Sequence, residues 1–463
     1  MDIKFVIYFL IAFFILKKVS NWSWYFIKRG QNYVREKELL VRRQDRTFEF
    51  EQVPQPIKES ILACDTIQEL LKGQYEGTFS CKQLISVYWD RAFKIGRKLR
   101  ISADECFRQA LQSAEDKDKE LKQCLSSGSD PYKVLGKLHG IPFSVKDQIK
   151  LKEYLSTLGV GSLSENIAKV DANIVAVFKK QGGIPIVKGN TPTIWLSLHS
   201  TNRIFGCARN PWNHKRTCGG SSGGDAAMLA SQCAQFSIGS DLGGSLRAPA
   251  SFWGVNVFLP TSNRQSADGN LAYFKYENIN MNPIRTVIGP FARNIDDLTT
   301  LMQVYFSKQM LELEPNLPQI EFKEDLYKET LSCKHLKIGI IKDLETVMAY
   351  WPTAKRALVE AQAHLESLGH EFIEIEIPSI EDQFQNHMKL MMNENLNLIA
   401  ENWDERCDDL ENVGNLLLLY RSSPMIANTI SKIAKLFGQS RLADVVSVMA
   451  QVDNGTQTLF YPL

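Results

Sequence analysis

The chain of 463 residues has almost no net charge, +2 from 54 basic and 52 acidic side chains. It therefore lacks the basic surplus that accompanies nucleic-acid binding, and nucleic acid is excluded as an expected partner. Low-complexity tracts and internal repeats are also absent. With 44% hydrophobic and 23% charged residues the composition is that of a folded protein, long enough for one large or two to three ordinary domains. The nine cysteines are odd in number and scattered, without the close pairs of a zinc site or a disulfide framework. Reduced thiols in a reducing compartment are implied. Histidine is scarce, with seven in all, and no aspartate partner can be assigned to His139, so a Ser-His-Asp mechanism finds no support.

Long apolar runs are confined to the start. Residues 5–16 (FVIYFLIAFFIL) are uninterrupted, yet short against the roughly 20 residues of a spanning helix, so the run must recruit Val19 to Ile27 or thin the bilayer. Lys17-Lys18-Val19-Ser20-Asn21 offers no small-residue cleavage site, which argues against a signal peptide. A buried first helix is disfavoured because an all-apolar helix beside a basic stretch starts a core poorly. A signal-anchor or monotopic helix over residues 1–30 is preferred, with Trp22, Trp24 and Tyr25 at the interface. Lys17, Lys18, Lys28, Arg29, Arg35, Lys37, Arg42 and Arg43 follow the apolar run of residues 5–16, and only Lys4 precedes it. By the positive-inside rule the remainder faces the cytosol. Residues 31–54 read as a basic linker or solvated helix.

In the body of the chain, helical and strand periods alternate. Ser102 and Glu105 have capping-box spacing before a helix reaching about Leu121. Asp171 is expected to cap a helix ending at Gly182-Gly183, with a buried strand at Ile184 to Val187. Leu336 to Ile341, Thr353 to Leu368 and Phe372 to Ile377 predict a strand, a helix stopped by Gly369 and a second strand. The fold class is α/β, a large mixed sheet covered by helices on both faces.

The most informative stretch is Thr217-Cys-Gly-Gly-Ser-Ser-Gly-Gly-Asp225, followed by a helix-like Ala226 to Ala234 and by Gly239-Ser-Asp-Leu-Gly-Gly-Ser-Leu-Arg-Ala-Pro-Ala250. A flexible linker would not run straight into an apolar segment and be echoed by a second Gly-Gly-Ser. The Gly-Lys-Ser/Thr ending of a phosphate loop is missing. Gly219-Gly-Ser221-Ser-Gly223 matches the Gly-x-Ser-x-Gly elbow of α/β-hydrolases, a weak match in so Gly- and Ser-rich a string. A longer pattern discriminates better. Gly140-Ile-Pro-Phe-Ser-Val-Lys146-Asp, then the block from Gly219, then the block from Gly239, resemble in order and spacing the three blocks of the amidase signature family. Ser156-Thr-Leu-Gly159, Phe205-Gly-Cys-Ala-Arg-Asn-Pro-Trp212 and Gly289-Pro-Phe-Ala-Arg293 resemble its fatty-acid amide hydrolase branch. The likeness runs from about residue 55 to the end, and implies one amidase signature domain over 55–463.

That resemblance implies a Ser-Ser-Lys triad of Ser245 as nucleophile, Ser221 as bridging serine after a cis peptide, and Lys146 as base. The chemistry is coherent: burial disfavours a lysine's ammonium form and makes a neutral amine available near pH 7. Ser221 can relay a proton from Ser245 and return it to the leaving amine. Leu242, Gly243, Gly244 and Ser245 offer successive N–H groups for an oxyanion. Ser222 and Arg247 match supporting positions. No metal or organic cofactor is expected.

Leu155 stands where the branch usually has Asp, and Leu259 where Lys-Pro-Thr is usual. The resemblance further implies that the C-terminal part of the domain is missing, which would leave a sheet edge unpaired and the isolated chain prone to aggregate. Leu416 to Tyr420 and the stripe Ile426, Ile430, Ile433, Leu436 and Phe437 resemble a membrane cap at 414–445, although such stripes are more often core helices. The expectation is hydrolysis of fatty-acid amides, or esters, at an endomembrane surface. Its partners are a lipid amide and the bilayer; a homodimer stays open, as does a small-amide amidase, an amidotransferase-like glutaminase, or a silent membrane-bound homologue.

Overall fold

A computed structural model describes residues 30–31, 33–42, 52–271, 285–341, 352–377, 382–383, 386–387, 429–433 and 436. They belong to two compact units, Met1–Glu321 with Glu401–Gly414, and Phe322–Ala400 with Asn415–Leu463. The expected anchor at 1–30 lies, but for its last residue, outside the described residues, as does most of the expected cap. Among the described residues no helix is long and apolar enough to cross a membrane. Residues 33–42 are helical, and within them Glu36 is buried and paired with Arg203 at 3.5 Å.

The first unit is built on a six-stranded sheet. Its strands are β1 (Ser102–Glu105), β2 (Pro142–Lys146), β3 (Ile184–Gly189), β6 (Phe236–Asp241), β7 (Asn256–Val257) and β8 (Val287–Ala292), and a separate hairpin holds β4 (Thr201–Asn202) and β5 (Gly206–Cys207). The sheet order is β1-β3-β2-β6-β8-β7. β2 runs parallel to β3 and β6, while β1, β7 and β8 are antiparallel to their neighbours. The mixed α/β sheet expected from the alternating pattern is thus present. β2, β6 and β8 are buried at every residue, including the polar Ser144 and Lys146 of β2 and Ser237, Ser240 and Asp241 of β6. Phe143 stacks on its register partner Phe236, centroids 4.8 Å apart, and Phe178 of the Asn173–Lys180 helix meets both edge-on. This aromatic cluster fixes the register of β2 against β6. Because β2, β3 and β6 are parallel, Lys146, Gly189 and Asp241 end at one edge, where α/β sheets place their sites.

Three expectations about local structure are corrected. Ser102 to Glu105 do not cap a helix; they form β1 against β3, and Glu105 is buried with its carboxylate held by Arg97 at 2.8 and 2.6 Å. The helix begins after them, at Phe107, and runs to Ser126. Pairing with a sheet edge outweighed the capping pattern. Asp171 caps nothing, since Ala172 occupies the N-cap while Asp171 accepts from the Lys152 N–H and pairs with Lys179. The helix expected over 226–234 is Gly223–Ala230. Capping boxes do occur, at Thr66 with Glu69 and at Ser80 with Gln83.

The Gly223–Ala230 helix lies so close to the end of β3 that a Cβ on Gly224 would stand on the backbone N and O of Asn190. Gly224→Ala is therefore expected to destabilise the first unit by about 1–3 kcal/mol, the usual cost of overpacking. An unchanged urea midpoint would show that the helix can move off the sheet freely.

In the second unit β9 (Lys337–Ile340) and β10 (Glu371–Glu374) pair in parallel, with the Pro352–Ser367 helix between them in sequence and Gly369 at φ +91° behind it. The expected β-α-β unit is there, on a two-stranded sheet of its own.

Candidate active site

Lys146, the last residue of β2, is completely buried. Its Nζ lies 2.7 Å from Ser221 Oγ, 2.9 Å from Ser240 Oγ and 3.4 Å from the Ser240 carbonyl. Burial drives its pKa down from 10.5 to about 7, against the opposing charges of Asp225, Asp241 and Asp147. Desolvation of an unpaired ammonium is sufficient cause. An amine that loses its proton this readily can accept one from the Ser221 hydroxyl.

Ser221 stands where the Gly-Ser segment enters the Gly223–Ala230 helix, and the Gly220–Ser221 peptide bond is cis. The segment is pinned from both sides. Ser200 donates to the Gly219 carbonyl through its N–H and its hydroxyl, and Trp253 Nε1 donates to the Cys218 carbonyl at 2.8 Å. Gly220 must be glycine, since a Cβ there would meet the backbone of Ser197, Leu198 and His199. Ser222 clamps the segment to β6: its hydroxyl donates to the Ser240 carbonyl at 3.1 Å and accepts from the Ser240 N–H at 3.2 Å.

Ser245 lies in the turn between β6 and the Arg247–Trp253 helix and is the most accessible of the three triad candidates, at 9%. Its carbonyl accepts the Ser222 N–H at 3.1 Å. Among the described residues no hydrogen bond joins the Ser245 and Ser221 hydroxyls; the Ser221 hydroxyl bonds the Lys146 amine.

The turn itself is organised by Asp241, to which the sequence motifs assign no role. Its carboxylate accepts from the N–H groups of Gly244, Leu246 and Arg247 and from the Arg247 guanidinium. Burial alone would raise this carboxyl, but the Arg247 fork and the backbone donors outweigh it and hold it below the ordinary carboxylate range. This corrects the expected donor set, because the Gly244 N–H is committed to Asp241 rather than free for an oxyanion. Gly244 has φ +110°, a conformation that demands glycine. The N–H groups of Leu242, Gly243 and Ser245 carry no acceptor among the described residues. Arg247 acts on Asp241 and thereby on the turn. Ser240, which holds Lys146, is likewise absent from the expected site; both residues lie inside the block from Gly239, and two polar residues just ahead of Leu-Gly-Gly are the signal that could have found them. Leu155 contributes its N–H to Asp104 Oδ2, so the hydrophobic side chain at that position removes no backbone bond.

Residues 83–449 match the family described as Amidase. The chain is 33% identical over 316 residues to the vitamin D3 hydroxylase-associated protein of Gallus gallus, covering 68% of this chain and 64% of that protein. It is 30% identical over 322 residues to fatty-acid amide hydrolase 1 of Sus scrofa, covering 70% and 51%. The chain thus spans less than two thirds of the length of these relatives. A solved fatty acid amide hydrolase superposes with a TM-score of 0.69 over 90% of this chain and 82% of that one, at 19% identity. The chain belongs to the amidase signature family.

Proposed function

We propose that this chain hydrolyses amides of apolar acyl groups through an acyl-enzyme on Ser245. The observation that supports it most is a fully buried Lys146 whose amine sits 2.7 Å from Ser221 Oγ. Neutral Lys146 takes the Ser221 proton as Ser221 takes that of Ser245. The Ser245 oxygen then bonds to the substrate carbonyl carbon, and the negative carbonyl oxygen is received by N–H groups from Leu242, Gly243 and Ser245. Collapse breaks the C–N bond while the proton returns from Lys146 through Ser221 to the leaving nitrogen. Water repeats the cycle on the ester and releases the acid.

A lipid substrate and a membrane location are proposed with it. The ring of Phe252, 49% exposed, lies against Gly219, and the backbone of Leu198, a residue 54% exposed, lies against Gly220; exposed apolar residues beside the Gly-Ser segment are of the kind that receive a chain of methylenes. The test is a fluorophosphonate label followed by peptide mapping, with turnover of a long-chain and a short-chain amide in parallel. The adduct is expected on Ser245 and the long chain is expected to be preferred. An adduct on Ser221 would support the nucleophile-elbow reading and sink the triad; preference for the short amide would leave the chemistry and remove the lipid.

A further inference from the structure

Among the groups that the proposed chemistry does not use, Asp225 stands out. It is completely buried on the first turn of the Gly223–Ala230 helix. Oδ1 accepts one hydrogen bond, from Ser144 Oγ at 2.9 Å, and Oδ2 has no partner. Buried carboxylate oxygens are rarely left so.

The sheet register shows what this carboxylate overlooks. Ser144 and Lys146 are alternate residues of β2, so they project from the same face. Lys146 is the register partner of Gly189 on β3, and a Cβ on Gly189 would collide with both carboxylate oxygens of Asp225. The carboxylate thus sits over the residue beside Lys146, on the face from which the lysine projects. Lys146 forms no ion pair among the described residues, its amine being held by Ser221 and Ser240. Asp225 therefore acts across space rather than by contact.

We propose that Asp225 is a positioning residue for the base, a buried counter-charge that favours the ammonium Lys146 becomes when it takes the serine proton. The inference rests on the reading of Lys146 as that base. Three carboxylates face the lysine, and their charges are offset unequally. Asp241 is engaged by Arg247 and three backbone N–H groups. Asp147 is engaged by the Thr157 and Leu158 N–H groups and the Thr157 hydroxyl, with Lys188 near it. Lys188, on β3, also faces Asp225, but its own amine is spent on the carbonyls of Asp147, Ile149 and Leu155 and the Ser156 hydroxyl. Asp225 keeps one hydroxyl, so its charge is the least compensated and acts most strongly on Lys146. Consistent with this, burial lowers Lys146 to about 7 and raises Asp225 to about 7, each moderating the other's shift, so Asp225 gains its charge over the same range in which Lys146 titrates. Gly189 is then required for chemistry as well as packing, because any side chain there would displace the counter-charge.

The experiment measures the rate constant for fluorophosphonate labelling of Ser245 from pH 5 to 9 in the full chain and in Asp225→Asn, Asp225→Ser and Asp225→Glu. In the wild type the rate is expected to fall on the acid side as Lys146 takes up a proton. Losing the counter-charge is expected to move the midpoint of that limb to lower pH by about one unit or more and to lower the alkaline plateau, because the amine becomes a weaker base. Asp225→Glu keeps the charge and is expected to stay near the wild-type midpoint. Partial unfolding lowers the labelled fraction and not the midpoint, so a weakened fold does not imitate the effect. A limb present in the wild type, lost in Lys146→Ala and unmoved in both uncharged variants overturns this inference alone. Equal labelling by Lys146→Ala and the wild type at every pH overturns the base assignment and this inference with it.

Discussion

Replacing Lys146 with alanine is expected to lower amide turnover at pH 7 about 10²–10⁴-fold, the usual contribution of a positioned base. Among the described residues the Ser221 hydroxyl bonds no other titratable group. Ser240 is a hydroxyl already held by the amine, Asp241 is engaged by Arg247, and Asp225 bonds Ser144. The defect is expected to ease at high pH, where hydroxide takes over the base's work. Lys146→Arg is expected to be as defective as alanine, since a guanidinium stays charged and cannot accept the proton. The sign for the wild type follows from the same requirement. On the proposed mechanism the unprotonated amine is the active form and burial brings its pKa down to about 7, so kcat/KM should rise as pH increases through that value and be lost below it. Turnover of Lys146→Ala within a few fold of the wild type at pH 7 would remove the lysine from the mechanism.

Asp241→Ala is expected to be nearly as damaging by a different route. The carboxylate gathers three backbone N–H groups and a guanidinium around the turn that presents Ser245. Its removal strands buried donors at about 1–3 kcal/mol each and frees Gly244 from the conformation that separates its N–H from those of Leu242 and Gly243. Loss of both stability and Ser245 labelling rate, about 10²-fold for the latter if a single oxyanion donor is lost, should follow. Asp241→Asn keeps one acceptor and is expected to recover part of each. Arg247→Ala is expected to be milder, because three backbone donors remain on Asp241. Labelling of Asp241→Ala at the wild-type rate would show that the turn holds its shape unaided.

Much of the site is legible in the amino-acid sequence, because its chemistry is concentrated in short blocks. Lys146, Ser221 and Ser245 lie in strings whose glycines reflect close backbone approach, and the fold supplies the reason at Gly220 and Gly224, where a Cβ would strike neighbouring backbone. What the strings do not reveal depends on contacts between distant segments. Asp225 follows Gly-Gly like any helix-start acid, and only the Lys146–Gly189 register places it beside the base, over Gly189.

The local pattern of apolar residues and turn glycines sufficed to determine the α/β class and the β-α-β unit of β9 and β10, while the three segments that carry the triad candidates were marked by their resemblance to the family's blocks. The first two are properties of residues close in sequence, written in period and composition. Tertiary structure alone decided that Ser102 to Glu105 extend along β3 instead of capping a helix, since a sheet edge offers backbone bonds that a cap cannot match. It also decided which N–H groups of the Ser245 turn are spoken for. The same sheet puts Lys146 beyond the reach of water, and so turns an ordinarily charged side chain into an amine able to take a proton; burial is a property of the whole fold, and no string of neighbours encodes it.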